Sequence, residues 1–411
     1  MFSVLCMEFK RLFRSRMVWI LCAASLVVAL LLCVMVVDNV SYGRRSDPES
    51  IGGLAGVKAQ REAYAPLYGP VTPEKLQAAY KTYSETMAAY DKNKTGVPEF
   101  AEEMPASVYM ENISPNAPAL RWISGVFDLS DLTAEDIGGF YAKRLHMIQS
   151  VLAEKYPDAP QVQQAALEMN QKVETPFNYI YGYGDSDGKE IIILLLLVLG
   201  LFCTAMAAPV FAADYHSRAD DIQRCTRYGR GKLSAARSLA VLILVLAIAV
   251  VSMGVYLIIL NSIFGWEGLS SSLQTAFVAW GIAPMNVGDM VRMTFFAGIL
   301  TLLATASCSL FVSSRCKSPT TALIVSFCVS LLPVFLGFAG INVKWLYALL
   351  PSGGTAIENS FYYALTLNSL EFLHLGSFTL WLPYAYILFA AVETPLFILL
   401  TILSHKKREV Y

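Results

Sequence analysis

The sequence predicts an all-α polytopic membrane protein: six transmembrane helices with a large, mainly helical extracytoplasmic domain between helices 1 and 2. Three observations carry that prediction. Only 15% of the 411 residues are charged, 55% are apolar, and mean hydropathy is +0.50; a soluble domain is about a quarter charged. The apolar excess falls into six blocks, each near or above the roughly 20 residues that cross a hydrocarbon core as a helix. Lysine and arginine cluster beside alternate block ends, which places those ends and both termini on the cytoplasmic side. So much apolar surface excludes a disordered chain, and six such blocks together exclude the buried helices of a soluble protein.

Residues 1–16 read as an amphipathic helix along the inner interface. Phe2, Leu5, Phe9, Leu12 and Phe13 form its apolar side, while Glu8, Lys10, Arg11, Arg14 and Arg16 make the rest polar and basic. The first span covers residues 17–37. Its apolar run is longer than that of a cleaved signal, and Val36, Val37 and Asp38 offer no small-x-small site, so it reads as a retained signal anchor.

Residues 38–189 form the outer domain. They hold 14 basic and 21 acidic residues against 17 and 11 elsewhere, so the near-zero net charge conceals an acidic outside and a basic inside. Thr72-Pro73-Glu74 reads as a cap, a first-turn proline and a first-turn acid, followed by Leu76, Ala79, Tyr80, Tyr83, Met87 and Tyr90 at helical spacing. Thr133 and Asp136 match a capping box, and Phe140, Leu145, Ile148 and Leu152 continue an apolar stripe. Val162, Ala166, Leu167 and Met169 suggest a third helix ending before Pro176, while residues 90–123 read as loops. Tyr179, Tyr181 and Tyr183 read as exposed interfacial anchors beside the second span. None of the eight cysteines lies in this domain, so it must be stable without disulfides or thiolate metal sites. The cysteines read as small apolar fillers.

The second span, 190–213, leads into a short charged segment, 214–237. The remaining spans are 238–264, 291–312, 319–340 and 380–403, followed by a tail, 404–411. Asp214, Asp220 and Asp221 stand near Arg224, Arg227 and Arg230. That spacing suits either local ion pairs or docking of a partner. Residues 341–378 read as an outer loop or short interfacial helices. Charge-poor stretches at 268–288 and 345–379 lie at or dip into the outer interface, where backbone must be buried in protein or line water. Glu393 sits inside the last span, two residues before Pro395. A carboxylate there either faces a translocation path or packs between helices.

The signatures of several chemistries are missing. Gly229-Arg230-Gly231-Lys232-Leu233 lacks the first glycine and the hydroxyl residue of a phosphate loop. The acidic turn 185–190 lacks the full calcium loop. Four histidines are scattered without ligand spacing. No catalytic, cofactor or metal residue is therefore assigned. The basic clusters are span flanks and imply a lipid membrane rather than nucleic acid.

Met7-Glu8-Phe9-Lys10-Arg11-Leu12-Phe13-Arg14-Ser15-Arg16 is a short amphipathic helix ending in basic residues. Phe211-Ala212-Ala213-Asp214-Tyr215-His216-Ser217, followed by Arg227-Tyr228-Gly229-Arg230-Gly231-Lys232-Leu233, joins an acidic stretch to a basic one after the second span. With six spans, the chain resembles the membrane-spanning subunit of the ABC-2 type transporter permease family over everything except residues 45–185. The resemblance implies a bacterial cytoplasmic-membrane exporter permease, working as a homodimer or heterodimer with a second permease. Its power would come from a separate cytoplasmic ABC ATPase that binds ATP and magnesium. It also implies that Glu8, Arg11, Arg14, Asp214, Asp220, Asp221, Arg224, Arg227, Arg230 and Lys232 couple to that partner, with Glu393 on the pathway or in helix packing. The chain itself is then not an enzyme. The competing reading is a non-transport membrane protein whose outer domain binds or senses an envelope ligand.

Overall fold

The computed structural model describes residues 2–90, 104–129, 132–225, 231–341, 343–376 and 378–407. Among them, six helices are long and apolar enough to cross a membrane. A large, mainly helical region separates the first two.

The amphipathic helix α1 (Phe2–Arg14) ends at Ser15, whose extended backbone turns the chain into α2 (Arg16–Asp38). The outer domain opens with a small hairpin, β1 (Ser41–Tyr42) with β2 (Ile51–Gly52). It continues through α3 (Gly53–Tyr64), β3 (Gly69–Pro70) and α4 (Pro73–Tyr90). Pro73 opens α4, where its missing N–H is no loss. A hydrogen bond with the Thr72 side chain is the main cause holding the Glu74 carboxyl below its ordinary range.

Residues 104–124 correct the loop expectation. Short helical turns at Ala106–Val108, Tyr109–Ile113 and Ser114–Asn116 lead into α5 (Ala117–Ser124). Pro115 and Pro118 fall in the first turns of their helices, where proline starts a helix rather than breaking it. Thr133 and Asp136 exchange hydrogen bonds of 3.0 and 3.3 Å just before the turn that enters α6 (Phe140–Lys155). The buried stripe of α6 is Phe140, Arg144, Ile148 and Leu152; Leu145 is exposed, so an arginine takes the place expected of a leucine. Then come α7 (Pro160–Gln171) and β4 (Asn178–Tyr179), which pairs with β3.

The main remaining elements are α8 (Gly188–Ala207), α9 (Pro209–His216), α10 (Ala219–Arg224), α11 (Gly231–Phe264), α12 (Val287–Arg315), α13 (Pro319–Phe338) and α14 (Lys344–Ala348), then the hairpin β5 (Phe372–Leu375) with β6 (Phe378–Trp381), and α15 (Leu382–Lys407). Helices α8 and α12 are the most enclosed, whereas α2, α13 and α15 turn apolar side chains such as Leu31, Ile324 and Leu396 outward. Lipid is as apolar as leucine, so helices in a membrane associate through close packing and internal hydrogen bonds. Gly298 of α12 admits Leu196 of α8, whose Cδ2 would stand 2.7 Å from an added Cβ. Ser252 donates to Ser25 at 3.2 Å between α11 and α2, and the Thr204 and Ser330 hydroxyls meet at 2.8 Å between α8 and α13.

At two of the prolines within the spans, serines close the opened helical ladder. Pro209 interrupts the second span, and the Phe211 and Ala212 amides donate to Ser313 Oγ at 3.0 and 3.2 Å. Pro333 lacks the N–H that would reach the carbonyl four residues back, and Ser352 Oγ donates to that Val329 oxygen at 3.5 Å.

Among the described residues, the outer domain closes only a small cluster of its own, Met104, Ile113 and Leu120, and shares its main packing with the spans. One apolar core runs from Leu76, Trp122 and Phe140 through Tyr179, Tyr181 and Tyr183 into the spans. These three tyrosines are therefore buried rather than interfacial anchors. A second cluster joins Ile148, Leu152 and Ala166 to Ile282 and Leu370. Segment 265–286 leaves α11 and returns to α12 beneath the domain, and many of its backbone groups are bonded by protein. Arg121 Nη2 and Trp122 Nε1 donate to the Thr275 carbonyl at 2.9 and 2.8 Å. Arg144 Nε and Nη2 donate to Ala279 and Gly281 at 2.5 and 2.7 Å, with Phe177 under the guanidinium. Gln274 donates to the Gly281 and Ala283 carbonyls. Such satisfaction is what irregular backbone near hydrocarbon requires.

The same segment crosses residues 180–186 at a pair of glycines. A Cβ on Gly268 would stand 2.5 Å from Gly182 Cα, and one on Gly182 would stand 2.6 Å from Gly268 Cα. Nearby, Asp185 accepts from Tyr179 Oη and from the Gly182 amide, both at 3.1 Å, and lies 3.6 Å from Arg121. Burial nevertheless pushes its carboxyl above the ordinary value, against the opposing pull of Arg121 and Lys189.

Two outcomes follow. Gly268→Ala should cost about 1–3 kcal/mol through overpacking, whereas Gly254→Ala, where an added Cβ meets nothing within 4 Å, should leave thermal unfolding in detergent unchanged or slightly raised. A Gly268→Ala midpoint equal to wild type would refute the close crossing. For Asp185, the raised folded pKa means that the native state holds the proton more tightly than the unfolded state. Its contribution to stability is complete below about pH 4 and is lost as pH rises through the folded value. Asp185→Asn should remove that fall, so the difference in melting temperature between variant and wild type should grow in the variant's favour from pH 4 upward. A difference independent of pH would contradict the assignment.

Candidate functional site

At the end of the bundle away from the outer domain, four elements meet on one buried arginine. Arg237 sits in the second turn of α11, just before the helix becomes continuously apolar, and is 2% exposed. A charge at that depth is stable only if it is paired and hydrogen-bonded. Its Nε and Nη2 face the two Glu8 carboxylate oxygens of α1, each at 3.3 Å. Nη2 also donates to Gln223 Oε1 of α10 at 3.1 Å. Nη1 lies 2.6 Å from Asp214 Oδ2 of α9 as an ion contact without hydrogen-bond alignment. The guanidinium stands over Phe211, 5.4 Å from the ring centre.

A second cation closes the outer side. Arg11, one turn after Glu8 on α1, reaches Glu8 at 3.1 Å and Asp214 at 3.1 Å. Burial is the main cause lowering its pKa, Arg237 adds to that effect, and the two carboxylates oppose it. Gln223 Nε2 donates to Asp214 at 3.3 Å. Two carboxylates thus share two guanidiniums, with one carboxamide bridging both signs.

The segment after the second span is held from its other side by the end of α15. His405 Nδ1 and Tyr215 Oη are 2.9 Å apart, and His405 Nε2 lies 3.7 Å from Asp220 Oδ1. Between α9 and α10 the chain turns through Arg218 at φ 57°, a left-handed conformation that costs a non-glycine residue roughly 1–3 kcal/mol. The cost is tolerated because both flanking helices are anchored.

The expected coupling residues divide accordingly. Glu8, Arg11 and Asp214 come together in the cluster, and Asp220 joins His405. Arg14 and Asp221 are exposed, and Lys232 is exposed on the first turn of α11. Arg224 ends α10; Arg227 and Arg230 lie outside the described residues. Asp214 pairs across the fold with Arg11 and Arg237, and Asp220 lies beside His405; local pairs with Arg227 and Arg230 fall outside the described residues. Arg237, Gln223, Tyr215 and His405 were missed. A signal for Arg237 existed, since an arginine at the edge of an apolar helix demands an acid, and Glu8 is the sole acid in the first 37 residues.

Glu393 is half-buried on α15, near Cys308 of α12. Arg292, near the outer end of α12, is largely exposed and pairs with Asp289. Beside Cys308, the seam between α12 and α13 is lined by Thr305, Ser309, Ser326 and Ser330 and holds no water-sized space. No cysteine is disulfide-bonded; Cys33, Cys203 and Cys308 are buried fillers, but Cys6, Cys225 and Cys328 are exposed. Among the described residues, no group of histidine, cysteine and acidic side chains can hold a metal ion.

Comparison with protein-family models, curated proteins and solved structures finds no match for the chain. The architecture is that of a polytopic, largely helical membrane-spanning protein.

Removing Arg237 alone leaves two carboxylates buried and undercompensated. Arg237→Met should therefore cost about 3–5 kcal/mol and expose α1 to trypsin. Adding Glu8→Gln and Asp214→Asn to it should recover most of that loss, by the logic of a mutant cycle. Thermal unfolding of the single and triple variants in detergent checks this; equal losses in both would show that the charges are not coupled.

Proposed function

We propose that the chain is the permease subunit of an ABC-2 type exporter, driven by a separate ATPase that docks at the end where α1, α9, α10 and α11 meet. The observation that carries this reading is the Arg237 cluster. It ties the amino-terminal helix, the charged segment and the third span into one unit, so a force applied to α10 is delivered to two spans at once. Lysine and arginine flank the spans at this end, which is the cytoplasmic side by the positive-inside rule. Short α10 also presents Ile222, 76% exposed, as an apolar anchor amid charge, the composition of a protein contact. The sequence contains no phosphate loop, so ATP and magnesium belong to the partner in this reading. Coupling requires that the nucleotide states of the partner bind two arrangements of the spans with different affinity. Glu393 and the hydroxyl-lined seam beside it are then the interior that rearranges.

Copurification of the full chain with its ATPase tests the proposal. Ile222→Asp should reduce the retained ATPase at least about tenfold, the effect of removing an interface anchor worth more than about 1.4 kcal/mol, while the thermal midpoint stays at the wild-type value. Combined Arg224, Arg227 and Arg230→Gln should lower substrate-stimulated hydrolysis. If no ATPase copurifies and neither variant changes transport, the export reading fails.

A further inference from the structure

At the domain end, beside the last span, α14, the β5–β6 hairpin, the end of α6 and the first two turns of α15 enclose a groove of about 740 Å³. That is within the range of small-molecule sites. Its apolar lining includes Trp345, Leu349, Leu382 and Phe389. Phe389 lies seven residues into α15, about 10 Å along the helix, so the lining extends to hydrocarbon depth. Trp345 and Leu349 are nearly half exposed. Lys155, Lys344, Glu371 and His374 complete the lining as its polar part.

The walls are already fixed. Tyr156 Oη donates to the Leu370 carbonyl at 3.2 Å and accepts from the Phe372 amide at 3.1 Å, which fastens α6 to the hairpin. Lys155 Nζ stands 2.6 Å from Glu371 Oε1, and Lys344 Nζ donates to Asn359 Oδ1 at 2.5 Å. His374 Nδ1 and Thr379 Oγ1 meet at 3.0 Å. Two ammonium groups against one carboxylate leave the polar part net positive, at the level where the last span begins. An apolar floor continuous with the bilayer, under a cationic edge at headgroup height, matches one class of ligand.

We propose that this groove holds an anionic phospholipid of the adjoining leaflet, with an acyl chain along Trp345, Leu349 and Phe389 and its phosphate between Lys155 and Lys344. The site is independent of the export reading.

The full chain in phosphatidylcholine nanodiscs, doped with phosphatidylglycerol carrying an acyl-chain diazirine, tests the assignment by mapping crosslinks after irradiation. Labelling should concentrate on residues 343–349 and 382–389 and be displaced by unlabelled phosphatidylglycerol. Lys155→Gln and Lys344→Gln should each reduce it about fivefold, the effect of one basic residue near an anionic headgroup. Loss of the partly exposed Lys155–Glu371 pair is a small perturbation of the fold. Leu349→Trp, which fills the groove and keeps both lysines, should abolish labelling at 382–389 while labelling around Ile324 on α13 persists. Equal labelling by diazirine phosphatidylcholine, or no effect of either lysine variant, would reduce the groove to ordinary lipid contact. Displacement by free fatty acid as effective as by phosphatidylglycerol would replace the phospholipid with a single-chain carboxylate ligand.

Discussion

A polar group removed from water must find its partner inside the protein, and the form of this molecule follows from meeting that requirement at several depths. Arg237 meets it with Glu8, Asp214 and Gln223. Arg144 meets it with two backbone carbonyls and an aromatic face. Proline-opened helix turns meet it with Ser313 and Ser352. Each solution joins elements far apart in sequence, so the polar contacts specify which helices are neighbours while apolar packing supplies bulk cohesion. The stakes are asymmetric: a buried pair adds little net stability, yet half of one is strongly destabilising.

The two ends of the molecule use this requirement differently. At the domain end, guanidiniums and an indole hold backbone carbonyls, so segment 265–286 is fixed mainly through neutral partners, with Asp185 beside Arg121 the one nearby acid. At the other end, carboxylates and guanidiniums share partners, and alternative pairings lie within reach of small shifts of α1 or α10. Arg11 already spans both carboxylates. One end is built as a fixed lid of irregular backbone and the other as an adjustable joint.

The spans were legible because a helix crossing lipid must be apolar along a whole run of residues, a pattern that depends on no other part of the chain. The starts of α4 and α6 were legible for a similar local reason, a proline or cap preceding an apolar stripe. What escaped reading depended on distant residues. Tyr179, Tyr181 and Tyr183 look like interfacial aromatics until segment 265–286 is laid over them. Arg144 looks like a surface residue until the Ala279 and Gly281 carbonyls are set before it. Residues 104–124 carry prolines that read as breakers but stand in first turns, a distinction fixed by register alone. The candidate site was half legible: Glu8, Arg11 and Asp214 stood out as charges beside spans, but the arginine that gathers them was counted as one more basic flank.

One helix links the two ends. With 34 residues, α11 is about 51 Å long; it carries Arg237 in its second turn and passes directly into the segment clamped by Arg144 and Trp122. Such a rod acts as a lever whose arm is the thickness of the membrane. A tilt of about 5° about the joint would carry its far end sideways by about 4 Å over that length, more than any hydrogen bond in the clamp can stretch. The clamp must therefore either resist the tilt, and make the bundle rotate as a whole, or let go of its carbonyls as a unit.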